Sequence, residues 1–278
     1  MYRLLLHAGL AAALAIPAVA APAGGTSAAE PTVGLDSTAA VNVAGRQRML
    51  SQRMVKAYLM LGQDIAAEDA RRILRESIDQ FESQLAALKA YQPSPGVEQA
   101  LVALETAWAQ CSALLAAPPS KAGADELYDA NETLQRAAHR ATLTYERVTG
   151  APLEHLVNLA GRQRMLSQRM AKFYFYRTWG VYDAPADMEL HLGHAHFTAV
   201  LNQIEVSPLA SPPVRERVAR LRSEWEPYEE LLFASKRPEE MRRDAARVAA
   251  LSEEVLADLE DLVALILAPA RAGGIGAR

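Results

Sequence analysis

The sequence predicts an all-α protein, built as two tandem antiparallel four-helix bundles packed side by side with pseudo-twofold symmetry. Three observations predict it. A thirteen-residue segment occurs twice, long apolar-periodic stretches are punctuated by proline and glycine, and strand-like alternation with β-branched runs is missing. The repeated segment is Asn42-Val-Ala-Gly-Arg-Gln-Arg-Met-Leu-Ser-Gln-Arg-Met54, which returns as Asn158-Leu-Ala-Gly-Arg-Gln-Arg-Met-Leu-Ser-Gln-Arg-Met170 with twelve of thirteen positions identical, 116 residues on. Downstream, apolar landmarks recur at nearly the same offset: Phe81 with Phe197, Leu85 with Leu201, Leu104 with Leu221, Trp108 with Trp225 and Leu134 with Leu251. The unit of duplication is therefore about 115 residues.

The chain opens with Arg3 before the apolar run LLLHAGLAAALAIPAVA, in which Ala18 and Ala20 form an A-x-A cleavage site. This reads as a signal peptide over 1–20, followed by a flexible segment over 21–36, and places the protein in the periplasm. In the first copy the punctuation delimits helices over about 38–62, 65–91, 95–117 and 123–148. In the second they run over about 152–180, 185–206, 212–235 and 238–267, with a flexible tail over 269–278. Ser94 before Pro95 and Ser211 before Pro212 are expected N-caps, since a hydroxyl accepts an orphan amide and proline at the first turn lacks one. Gly150 and Pro152 can close one helix and open the next, so the bundles span 37–149 and 150–268. Up-down-up-down connectivity then makes the first helices of the two copies run parallel.

On a helical wheel, Val43, Gln47, Leu50, Ser51, Met54 and Tyr58 form the core stripe, widened by Ala44 and Val55. Arg48 lies on its shoulder, and beyond it come Gly45, Gln52, Lys56 and Met49. A solvent-facing stripe rarely needs glycine, which costs about 1 kcal/mol against alanine. A contact with another helix uses both glycine, for close approach, and an adaptable methionine. The second copy repeats the stripe in Gly161, Arg164, Met165, Gln168 and Lys172. The two first helices are therefore expected to pack along it, bringing Arg48 and Arg164 together.

Facing guanidiniums repel unless an acid or a bound anion lies between them. No acidic residue occurs between Asp36 and Asp64 or between Glu154 and Asp183, whereas these stretches hold Arg46, Arg48, Arg53 and Lys56, then Arg162, Arg164, Arg169 and Lys172. The candidate anion site comprises Arg48 and Arg164, with Gly45, Gly161, Arg46 and Arg162 beside them; Arg53 and Arg169 read as structural. Guanidinium forks suit a planar oxyanion or a carboxylate.

Composition excludes several alternatives. The single Cys111 permits no internal disulfide, CxxCH haem attachment or all-cysteine metal cluster, and in its apolar helix it reads as buried and inert. A net charge of −4, which becomes −5 once Arg3 leaves with the signal peptide, offers no global attraction for nucleic acid. The most apolar later run, Leu262 to Ala268, is too short to span a bilayer. His191, His194 and His196 read as a polar face, the methionines as core and seam, and no nucleophile elbow or phosphate loop occurs. No enzyme activity, metal or cofactor is expected.

The pattern Asn-x-Ala-Gly-x-x-Arg-Met-x-Ser-x-Arg resembles the motif opening the N-terminal sensor domain of type IV pilus methyl-accepting chemotaxis transducers, the PilJ-type domain, in both copies. It is also similar to the periplasmic segment of nitrate/nitrite sensor histidine kinases. That resemblance implies a dimerising four-helix bundle in which the arginine before the methionine, here Arg48 and Arg164, binds nitrate at a seam of two first helices near Gly45 and Gly161. The nitrate sensors carry a small residue after the glycine, where this chain has Arg46 and Arg162. Members of both families continue into a membrane helix and a signalling module, so a separate membrane-bound signalling or pilus-associated partner is expected to read the ligand. The expected function is a periplasmic, sensor-like protein binding a small oxyanion such as nitrate or nitrite, or a carboxylate. The alternative is an adaptor of an envelope assembly such as the type IV pilus, with no small-molecule ligand.

Overall fold

The computed structural model of the protein describes residues 35–274, which form eight helices and, among the described residues, no strand. The expected signal peptide and nearly all of segment 21–36 lie outside that range. In chain order the helices are α1 (Ser37–Gly62), α2 (Ala67–Ala90), α3 (Pro95–Leu115), α4 (Lys121–Thr149), α5 (Pro152–Trp179), α6 (Asp183–Glu205), α7 (Pro212–Phe233) and α8 (Pro238–Gly274). The predicted helix limits lie within two residues of these except at the end of α8. That helix passes Pro269 and reaches Gly274, so residues 269–274 of the expected tail are helical. A proline forfeits one backbone hydrogen bond without necessarily ending a helix, and Pro227 is likewise accommodated inside α7.

Local chemistry sets the helix ends. Asp36 accepts the Ala39 amide at 2.7 Å, Ser94 that of Val97 at 3.3 Å and Ser120 that of Gly123 at 3.0 Å. Ser211 occupies the expected cap position, but its hydroxyl accepts no amide; its φ is −66° against −155° at Ser94, which turns the side chain differently. Gly150 and Gly180 end α4 and α5 with φ of 65° and 67°, a conformation costly for residues with a Cβ.

In the first half α1 packs on α2 and α4, and α3 closes against α4; in the second half α5 packs on α6 and α8, and α7 against α8. Neighbours run antiparallel: Gln47 reaches the Phe81 carbonyl on α2, whereas Arg53, further along α1, reaches back to Ser77. The halves meet through α1 and α5, which are parallel, with Ser37 meeting Glu154 at one end and Gln63 donating to the Phe175 carbonyl at the other. One continuous apolar core runs through both halves.

The duplication is visible in side-chain detail. Phe81 stacks on Trp108 with ring centroids 4.4 Å apart, and Phe197 on Trp225 at 4.2 Å. One expected pairing changes. Leu134 is fully buried but Leu251 only half-buried, and Val255 takes the equivalent core position. Reciprocal contacts fix this register: Lys172 bonds Asn131 and Glu132, while Lys56 bonds Ser252 and Glu253. Positions on α4 and α8 therefore correspond at an offset of 121, about one helical turn beyond the offset of the preceding helices.

Candidate functional site

The repeated segment lies in the middle of α1 and of α5, and the predicted seam stripe is where they touch. Gly45, Arg48, Met49, Gln52 and Lys56 are buried, as are Gly161, Arg164, Met165, Gln168 and Lys172. Arg48 and Arg164 have no solvent-exposed surface at all. Their guanidiniums converge on the two glycines. A Cβ placed on Gly161 would lie 3.2 Å from Arg164 Nη2 and 3.5 Å from Arg48 Nη2; one on Gly45 would lie 3.3 Å from Arg48 Nη2 and 3.9 Å from Arg164 Nη2. Glycine here creates room for two cations where helices cross closely.

Each arginine is then held by the opposite half. Arg48 Nη2 donates to Asn158 Oδ1 at 2.8 Å and Arg164 Nη2 to Asn42 Oδ1 at 2.8 Å, a reciprocal exchange between the first residues of the two repeats. At Nη1 the symmetry breaks. Arg164 Nη1 donates to Glu260 Oε2 at 2.7 Å, whereas Arg48 Nη1 lies 3.3 Å from His139 Nδ1. His139 and Glu260 are equivalent under the offset of 121. Arg46 also bonds Glu260, so that carboxylate joins Arg46 and Arg164. Arg162, the counterpart of Arg46, makes no ion pair among the described residues.

The electrostatics follow from this asymmetry. Burial first, then Arg164 and Arg162, pushes Arg48 down to about 9, against a smaller opposing effect of Glu146. Its guanidinium stays charged at neutral pH. His139 is pushed down to about 4 by burial, then by Arg48 and Arg162, so the neutral ring can accept from Arg48 through Nδ1. Glu260 is held below the usual carboxylate range by Arg164 and Arg46 against the opposing effect of burial, and Arg164 is lowered by burial although Glu260 opposes this. The Nε atoms of both Arg48 and Arg164 are buried without a hydrogen-bond partner, as is that of Arg46.

The remaining polar letters of the repeat cross-link the halves. Lys56 and Arg53 of α1 both bond Glu253 on α8, and Lys172 and Arg169 of α5 both bond Glu132 on α4. Glu132 and Glu253 are each held at about 2 by their cations, against burial. Burial acts more strongly on the fully enclosed Lys172, pushing it down to about 8. Ser51 and Ser167 donate to the carbonyls of Arg48 and Arg164, and Gln163 to that of Phe197. Arg53 and Arg169 thus take the structural role expected of them. Each draws one acid from the partner half, Glu253 lying 200 residues from Arg53 and Glu132 lying 37 from Arg169, and Arg169 also pairs with Glu189 of its own half; none of these is visible to local spacing.

The anion-site candidates are thereby brought together at one seam, with Arg46 and Arg162 half-buried at its two sides. Sequence reasoning missed Asn42, Asn158, His139, Glu260 and their pairing. The asparagines open the repeated segment and so carried a signal; His139 and Glu260 carried none, because the register shift separates them. Of the other side chains considered, Cys111 is buried, with its thiol pushed up to about 12. His191 stacks on Phe233, and His194 pairs with Glu229 at 2.6 Å. No helix among the described residues is long and apolar enough to cross a membrane.

The profile of one protein family, PilJ, described as the type IV pili methyl-accepting chemotaxis transducer N-term, matches residues 34–133 and again 153–257. No curated protein and no solved structure gives a significant match. Each matched segment carries one copy of the repeat and most of one helical half, and together they cover most of the chain. The chain belongs to the PilJ family, as two tandem copies of its domain.

Proposed function

We propose that this protein is a periplasmic sensing module that binds a small oxyanion, such as nitrate or nitrite, at the α1–α5 seam between Arg48 and Arg164. The observation that carries the reading is the convergence of two fully buried guanidiniums on Gly45 and Gly161, each with a buried Nε donor lacking an acceptor. An unpaired buried donor costs about 1–3 kcal/mol, so an anion that accepts from both arginines recovers that energy while relieving their repulsion. Arg162 and neutral His139 leave one side of the seam cationic, whereas Glu260 balances the other. A ligand seated there changes the contact between parallel helices from the two halves. A membrane-bound signalling partner then reads the altered seam.

Glu260 also favours a second reading, an envelope adaptor without a small ligand, because it already supplies one arginine pair with a carboxylate. Calorimetric titration of the mature protein with nitrate, nitrite and acetate separates the two. Saturable binding that weakens about a hundredfold in Arg48→Gln, whose folding is checked by circular dichroism, supports the sensor. Binding unaltered by that substitution, or no binding to folded wild-type protein, favours the adaptor.

A further inference from the structure

Away from the seam, the outer groove between α3 and α4 has an accessible volume of about 770 Å³. Its α4 wall carries Arg136, Arg140 and Arg147, spaced i, i+4 and i+11, so all three lie on one stripe of the helix. Opposite them α3 presents the small Gly96, Ala100 and Ala103 and the neutral amide of Gln99. No carboxylate lines the groove. Arg140 and Arg147 make no ion pair among the described residues, and Arg136 bonds only the Thr133 hydroxyl, at 3.0 Å.

The duplicated half supplies an internal control. The corresponding α7–α8 groove places Arg217 and Arg220 at the positions of Ala100 and Ala103, and Asp261 at that of Arg140. There Arg217 bonds both Glu224 and Asp258, so the groove neutralises itself. The same fold has therefore diverged toward a groove with its own acids in one half and one with three guanidiniums and no acid in the other. These three arginines are solvent-exposed, and with no acid beside them they give the groove a local positive potential in a chain of net charge −4, which favours an anion there.

We infer that the α3–α4 groove is a second binding site, for an organic or inorganic polyanion carrying at least two oxyanion groups. Arg136 and Arg140 lie one helical turn apart, about 6 Å along the axis, close enough to clasp two such groups of one molecule. Arg147 extends the site toward the N-terminus of α3, where the Gly96 amide adds to the positive potential. Carboxylate and phosphate groups both fit guanidinium forks. His139 lines this groove and also touches Arg48, so the two sites share a wall but not a ligand position.

Calorimetric titration of the mature chain with citrate and with pyrophosphate tests this, with acetate as the singly charged control. The expected result is saturable binding of at least one polyanion, about tenfold or more tighter than acetate, weakening with added salt. Citrate alone would identify the ligand group as carboxylate, and pyrophosphate alone as phosphate. An Arg136→Ala/Arg140→Asp variant gives the groove the second half's residues at exposed positions and should lose the binding. Saturating nitrate should not compete, whatever its affinity for the seam. The inference is overturned by absence of polyanion binding, equal affinity for acetate, unchanged binding in the variant or displacement by nitrate.

Discussion

His139 and Glu260 stand at equivalent positions on α4 and α8, and each faces the Nη1 atom of a motif arginine, at 3.3 Å from Arg48 and 2.7 Å from Arg164. This one difference gives two nearly identical helices different charge balance. On one side a carboxylate compensates Arg164 and Arg46; on the other a neutral imidazole leaves Arg48 and Arg162 without an acid in that position.

Exchanging these two residues' chemistry should move stability and anion affinity in opposite directions. His139→Glu adds a carboxylate beside Arg48, so the denaturation midpoint should rise and nitrate affinity fall about tenfold. Glu260→Gln strands a fully buried arginine, with an expected loss of about 3 kcal/mol in urea unfolding. A stability rise in Glu260→Gln would contradict the assigned charge balance.

His139 should also leave a signature in the pH dependence of stability. Its folded-state value is lowered from 6.5 to about 4, so between those limits the unfolded chain binds more protons. The stabilising contribution is complete above about pH 6.5 and is lost as pH falls through about 4. Discounted for the ring's partial exposure, it amounts to about 1–2 kcal/mol. His139→Gln should flatten that part of the curve, and NMR titration of the imidazole should report the depressed midpoint.

The exchanged ion pairs predict a second, more acidic transition. Glu132 and Glu253 are lowered from 4.5 to about 2, so their stabilisation is present above about pH 4.5 and disappears as pH falls toward 2. Each contributes on the order of 3 kcal/mol over that window. Glu132→Gln or Glu253→Gln should destabilise the protein at neutral pH by about 3–5 kcal/mol, because a buried lysine loses its partner. Both variants should be less sensitive to acid than wild type.

Two glycines on α1 should respond differently to alanine. A Cβ on Gly62 would come within 2.0 Å of the Trp179 ring, so Gly62→Ala must displace a bulky side chain and should lower the melting temperature. Gly45→Ala meets the Arg48 guanidinium at 3.3 Å and that of Arg164 at an ordinary contact distance of 3.9 Å, and helix propensity offsets the crowding by about 1 kcal/mol. Gly45→Ala is therefore expected to keep near-wild-type stability and to lose nitrate affinity, which thermal melts and calorimetry together resolve.

Much of this arrangement was legible before any coordinates. Prolines and capping residues marked most helix ends to within a turn, because those signals act through the adjacent backbone. The seam was legible through Gly45, Met49 and their repeats, whose types suit a helix contact better than solvent. Ser211 failed as a side-chain cap and α8 outlasted Pro269, since both outcomes depend on local torsions that composition does not specify. The corrected match of Leu134 with Val255 required contacts too, because one extra helical turn moved the register where identity had already faded.

The sequence by itself determined the all-helical class, the duplication and the meeting of Arg48 with Arg164, since periodicity and repetition are properties of the chain. Only the tertiary structure decided which of those charges are neutralised. Glu132 and Glu253 reach lysines across the two halves, Glu260 reaches Arg46 across them and Arg164 within its own, and Asn42 and Asn158 trade arginines over the seam. Electrostatic energy depends on distance and burial in space, and residues 40 to 197 positions apart in the chain share neither until the helices have packed.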